Sequence, residues 1–270
     1  MKLNIVPARA GFDWARAGVR TFWRQPLALA GLFFMFISLV SVASLIPYVG
    51  SVLALVLLPA ATLGLMAATR EAAQGRFPMP SVLFTAFRAG RPQARAMLLL
   101  GAMYATGFLL VLGASALIDG GAFARMYLVG GALTPELLQS AAFQNAMWVA
   151  MALYLPFSMM FWHAPALVHW HGITPGKSVF FSFVACKRNF GAFALYVLSW
   201  LGLFFAVGVL VMIVTITLGQ PGLMNTLMFP TAMLLAAMFF SSMWFTFHDS
   251  FVTDDEAPAP APDDGPAATP

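Results

Sequence analysis

Charge is scarce in this chain. Only 9% of its 270 residues are Asp, Glu, Lys or Arg, while 61% are apolar, far from the ~25% charged residues of an ordinary soluble domain. Between Arg24 and Arg70 there is no charged residue at all. This excludes a water-soluble globule and places the chain among membrane proteins. Cysteine is nearly missing too. Cys186 stands alone, so no internal disulfide organises the fold and helix packing must hold it together. The sequence carries no catalytic, metal-binding or nucleotide-binding signature, and no cofactor is expected. A net charge of +4 spread over so many apolar residues forms no basic groove, so no nucleic-acid partner is expected either. Membrane lipids, through their anionic headgroups, are the partner that this composition favours.

What is present is length in the apolar runs. A hydrocarbon core of ~30 Å takes ~20 apolar residues in a helix, because each crossing must satisfy its own backbone polar groups. Stretches at about 27–47, 50–69, 96–118, 146–170, 191–218 and 225–247 meet that length without one Asp, Glu, Lys or Arg. The predicted fold class is therefore an all-α membrane protein of about six transmembrane helices arranged as three hairpins, the first turned at Pro47 and Gly50. Residues 1–26 form a basic amphipathic N-terminal segment, 27–248 the bundle, and 249–270 an acidic Ala/Pro tail. The tail carries Asp254, Asp255, Glu256, Asp263 and Asp264, a composition that cannot bury a core and is expected to be disordered. Residues 1–24 lack an apolar core followed by a small-residue cleavage site, so they do not read as a removable signal.

Counting cations by loop sets the expected orientation. Lys2, Arg9, Arg16, Arg20 and Arg24 precede the first crossing; Arg70, Arg76, Arg88, Arg91 and Arg95 follow the second; Lys177, Lys187 and Arg188 follow the fourth. Of the 14 Lys and Arg residues only Arg125 falls on the other side. Six crossings put that cation-rich face and both termini in the cytoplasm of an inner (cytoplasmic) membrane. Cys186 is placed there as well, where an impermeant maleimide should distinguish intact from opened membranes.

A pattern recurs three times. AGVRTFWRQPLAL (17–29), SVLFTAFRAGRPQARAML (81–98) and SVFFSFVACKRNFGAFAL (178–195) each lead into a crossing, and each reads as a basic interfacial helix. Arg16, Arg20 and Arg24 fall on one helical face, with Phe12, Val19 and Phe22 on the neighbouring one. Arg24, Arg91 and Arg188 align. The second crossing of each pair carries the internal prolines: Pro59, then Pro156 with Pro165, then Pro230. These are the expected kink positions, and a longer external loop, 119–145, expands the middle unit. Within that loop Thr134, Pro135 and Glu136 read as an N-cap, a first-turn proline and a first-turn acid.

Candidate chemistry is sparse. His163, His169, His171 and His248 gather toward the cation-rich side, but their spacing sets no two rings on one helical face. They read as interfacial polar residues near Trp162 and Trp170. Met159, Met160 and the remaining methionines read as packing, and Gly101, Gly107, Gly113, Gly202 and Gly208 as points of close helix approach. Ser158, Ser241 and Ser242 have no carboxylate and histidine to complete a triad. Buried charges, the usual mark of ion coupling, are missing from the spans.

The stretches MKLNIVPARAGFDWARAGVRTFWRQPLALAGLFFMF (1–36) and LPAATLGLMAATREAAQGRFPMP (58–80) resemble an uncharacterised family of proteobacterial multi-pass inner-membrane proteins. More distantly the chain is similar to YciC-like proteins and to the membrane domain found beside some glycerophosphodiester phosphodiesterases. The resemblance implies a helical bundle in the inner membrane and supplies no catalytic residue. The expected role is a non-enzymatic scaffold or envelope-homeostasis factor whose Arg16, Arg20, Arg24, Arg88, Arg91, Arg95, Lys187 and Arg188 contact anionic lipid. The alternative is a transporter or channel for a neutral or amphipathic solute, not ion-coupled through buried charges, using the proline kinks.

Overall fold

Lipid offers no hydrogen bonds, so a crossing segment closes its backbone on itself. The computed structural model describes residues 2–46, 49–130, 133–220 and 222–252. Within them six helices are long and apolar enough to cross a membrane. The basic amphipathic helix α1 (Ala10–Arg24) leads into α2 (Pro26–Ser44), and α3 (Gly50–Ala73) returns. A 3-10 turn (Pro80–Phe84) and the one-turn α4 (Thr85–Arg88) precede α5 (Arg91–Asp119). Beyond it come α6 (Ala122–Val129) and α7 (Pro135–Gln139). The fourth crossing is divided into α8 (Ala141–Phe161) and α9 (Ala164–His171). Then α10 (Pro175–Arg188) precedes α11 (Phe190–Thr217), and α12 (Leu223–Ser250) closes the bundle. Strand β1 (Lys2–Leu3) pairs antiparallel with β2 (Phe251–Val252). Residues 249–252, expected to begin the tail, instead finish α12 and form β2, while Pro47 and the rest of the expected tail, 253–270, lie outside the described residues.

Six crossings in three hairpins agree with the apolar pattern, but two basic segments differ from expectation. The stretch 81–98 is not one interfacial helix. Gly90 adopts φ 104°, open to glycine and strained for other residues, and Pro92 opens the next helix, so the chain breaks between Arg88 and Arg91. Arg91 and Arg95 therefore belong to the first turns of the spanning α5. Arg88, rather than Arg91, ends its basic segment as Arg24 and Arg188 end theirs. The N-terminal helix differs in its face. Phe12 is exposed and Val19 only partly buried, while Gly11, Trp14, Ala15, Gly18 and Phe22 are buried. That stripe seats α1 in the groove between α11 and α12 instead of in the headgroup plane alone.

Glycine makes this seat possible. A Cβ on Gly11 would collide with the Ala192 carbonyl of α11, and one on Gly18 with Ser242 of α12. The same logic centres the bundle on α3, which packs against α2, α5, α9 and α12. Gly64 meets the Leu83 backbone, and Gly101 of α5 meets the Val56 carbonyl. Gly107 lies against the Phe157 ring, whereas Gly113, Gly202 and Gly208 have open space around them. Of the five glycines expected to bring helices together, only Gly101 and Gly107 do so.

Candidate functional site at the cation-rich end

Helix order brings the starts of α2, α5 and α11 and the ends of α3, α9 and α12 to one end of the bundle, together with α1, α4 and α10. Here lie Arg16, Arg20, Arg24, Arg88, Arg91, Arg95, Lys187 and Arg188, every one exposed. Among the described residues none of these eight is paired with a carboxylate. The ion pairs present there are Arg9–Asp13 at 3.5 Å and His248–Asp249 at 2.9 Å. Because α10 packs on α5, the Arg88 to Arg95 group and the Lys187–Arg188 pair sit on adjoining elements. The three arginines of α1 belong to the helix that packs on α11 and α12.

A polar knot ties this end together. Asn189, buried between α10 and α11, accepts from the Val6 N–H at 3.0 Å and donates to the Asn4 carbonyl at 3.0 Å. Asn4 donates in turn to the Ser250 and Asp249 carbonyls, and the Trp14 indole donates to the Asp249 carboxylate at 2.8 Å. Deeper down, the Tyr196 hydroxyl meets the Ser242 hydroxyl at 2.6 Å. No short-range pattern marks these partners, which lie as far apart in the chain as Asn4 and Ser250.

The fourth crossing breaks where Pro165, lacking an N–H, cannot bond to Phe161. Ser182 of α10 occupies the gap. Its hydroxyl accepts from the His163 N–H at 2.9 Å and donates to the Met159 carbonyl at 2.7 Å, the two groups a continuous helix would have joined. Ser158 and Ser241 bond backbone carbonyls of their own helices. Above the break a cavity of about 330 Å³ lies among α3, α5, α8, α9 and α12. Pro59, Thr62, Tyr104, Tyr154, Ser158 and Pro165 help to line it. Pro156 and Pro230 are exposed, so only two of the four expected kink positions reach this cavity.

The histidines part company. His163 is fully buried among Phe193, Phe247 and Phe251, with neither ring nitrogen bonded, which overturns its placement as an interfacial polar residue. His169 and His171 are partly buried, and His248 bonds Asp249. Cys186 is buried rather than accessible, and burial pushes its thiol up to about 12. The maleimide experiment expected of it would therefore report burial instead of sidedness. The N-cap at the opposite end is as expected, with the Thr134 hydroxyl accepting from the Leu137 N–H at 3.3 Å. Sequence reasoning passed over Arg70, counted only as one cation among many. Its guanidinium lies 5.6 Å from the Trp170 ring centre and 5.5 Å from that of Trp244.

Six apolar crossings with charge confined to their ends and loops define a multi-pass membrane protein. The chain is 37% identical over 254 residues to a probable inner membrane protein of Burkholderia thailandensis, a match that covers 93% of this chain and 94% of the other. It belongs to that family and is a multi-pass inner membrane protein. No family model matches the chain, and no solved structure matches it.

Proposed function

We propose that this protein is a non-enzymatic scaffold or envelope-homeostasis factor that gathers anionic lipid on its cation-rich end. In this reading that end and both termini face the cytoplasm. The observation that carries it is the row of eight exposed Arg and Lys residues without a carboxylate partner among the described residues. A juxtamembrane cation attracts an anionic leaflet by ~1 kcal/mol, and an unpaired one keeps that attraction for lipid. Membrane lipids are the proposed partner, with no nucleic acid. The more distant kinship with YciC-like proteins and the phosphodiesterase-associated membrane domain belongs to the same proposal. Reversing the charge of Arg20, Arg24, Arg91 and Arg188 together should strip most co-purifying anionic lipid from the detergent-solubilised protein. Unchanged lipid content in a well-folded variant would refute the reading.

A second reading draws support from the cavity beside Pro59 and Pro165, between the second, fourth and sixth crossings. There the protein passes a neutral or amphipathic solute. Glycerol flux into proteoliposomes should then fall in Pro59→Ala and Pro165→Ala but hold in Pro230→Ala, whose proline faces outward. Equal flux in all three and in protein-free vesicles removes it.

A further inference from the structure

Three helix ends, those of α3, α9 and α12, converge around a recess of about 260 Å³ at the cation-rich end, next to the β1–β2 ribbon. Arg70, Gln74, Trp170, His171, Trp244 and His248 line it, over Phe247 and Phe251. Arg70 is exposed like the arginines nearby, and differs from them in its aromatic neighbours. The Arg70 guanidinium is held at cation–π distance by two indoles, whose rings meet edge to face at 5.1 Å. His171 stacks toward Phe247 at 5.8 Å, and His248 toward Trp244 at 5.4 Å.

A guanidinium carries five N–H donors in a planar fork that fits phosphate or carboxylate oxygens. Those of Arg70 have no hydrogen-bond or carboxylate partner among the described residues. Its own helix end explains part of its position, since a cation is stabilised at a C-terminus. The two tryptophans do something else. Both lie to one side of it, their ring centres only 5.1 Å apart, so they fix its orientation and leave its other side open, the arrangement that makes an arginine a directed anion receptor instead of a point charge. Gln74, just past the end of α3, adds neutral donors. Asp249 is engaged by the Trp14 indole and by His248, and Glu71, next to Arg70 in the chain, forms no ion pair with it among the described residues. At about 260 Å³ the recess is large enough for a glycerophosphate-sized group. Its tryptophans are the residue type that marks the headgroup level.

We infer that this recess is a binding site for a phosphate-bearing anion, held by Arg70 where it lies against Trp170 and Trp244. The inference goes beyond the surface-lipid proposal, because it assigns one built site and a bonding geometry where that proposal needs only unpaired surface charge. A lipid headgroup and a small soluble phosphate ester share this chemistry.

The test uses the full chain in detergent micelles, titrated separately with dioleoyl phosphatidylglycerol and with sn-glycerol 3-phosphate, with bound ligand counted by native mass spectrometry. At least one probe should bind with one dominant stoichiometric site. Arg70→Gln should weaken that site tenfold or more, while Arg24→Gln with Arg88→Gln leaves it within twofold. Arg70→Lys, which keeps the charge but not the planar fork, should weaken it threefold or more, and serves alone if the glutamine variant elutes as aggregate. Stoichiometric binding of the lipid but not of glycerol phosphate assigns a headgroup; stoichiometric binding of glycerol phosphate but not of the lipid assigns a soluble ester; binding of both supports the shared phosphate chemistry. Unaltered binding in Arg70→Lys, or no stoichiometric site for either probe, overturns the inference. Loss on removing Arg24 and Arg88 but not Arg70 overturns it too, while leaving the surface-lipid proposal standing.

Discussion

Two crossings of similar mean hydropathy live in opposite surroundings. Within its most apolar stretch α3 is 56% buried inside the protein, whereas α11 is 6% buried. The difference lies in side-chain size. From Ala60 to Ala73 α3 is mostly Ala, Gly and Thr, letting α2, α5, α9 and α12 close in around it. From Leu201 to Ile216 α11 is mostly Leu, Phe, Val and Ile and turns them outward, leaving Phe205, Leu210 and Ile216 exposed. Lipid tails are as apolar as leucine, so burial in protein brings such residues no transfer gain and small residues decide which helices meet.

The sharpest way to break this contrast is a matched pair of substitutions. Gly101→Val drives a side chain into the Val56 carbonyl at the α3–α5 contact and should cost about 3 kcal/mol or more, the upper end of overpacking penalties. Gly202→Val on α11 points into open space and should stay within about 0.5 kcal/mol. Thermal unfolding in detergent compares them, and equal losses would contradict the central place of α3. The end at which α11 meets the N-terminal residues gives the next effect. Asn189→Ala removes both bonds to residues 4 and 6 and should cost ~1–3 kcal/mol by leaving buried groups unpaired. Ser182→Ala should cost a similar ~1–3 kcal/mol at the helix break, for the same reason. Tyr196→Phe removes the α11–α12 hydroxyl pair and should cost less, ~0.6–1.7 kcal/mol, as measured for hydrogen bonds between membrane helices. The smallest effect on stability is expected of Lys187→Cys. It should add one maleimide-reactive thiol at pH 7 in folded protein, whereas the buried Cys186, with its raised pKa, stays unlabelled until the detergent-solubilised chain is denatured. Rapid labelling of Cys186 would place α10 elsewhere.

Much of the architecture was legible before any coordinates. The apolar runs located six crossings to within a few residues, Thr134 announced its cap, and Pro59 and Pro230 fell inside helices as expected. The break near Pro165 was visible as a proline but not as a division of the crossing, because its repair comes from Ser182, nineteen residues away along the chain. The amphipathic face of α1 was misread, since the pattern of arginines drew attention to Phe12 while the packing face runs through Gly11 and Gly18. Small residues carry almost no hydropathy signal, and their value depends on what stands opposite. Arg70 was hidden for a related reason: its meaning comes from Trp170 and Trp244, each from a different helix.

Local composition by itself determined that the chain crosses the bilayer six times, where each crossing runs, and that its cations collect at one end. These follow from lengths and charges along a line, with no knowledge of neighbours required. Only the tertiary structure decided that α3 is central and α11 peripheral, that α1 is clamped by two glycines, and that one arginine among many lies against two indoles. Inside a membrane the protein interior and the surrounding lipid are nearly the same solvent, so hydropathy cannot say which faces meet. Shape and hydrogen bonds between distant residues must.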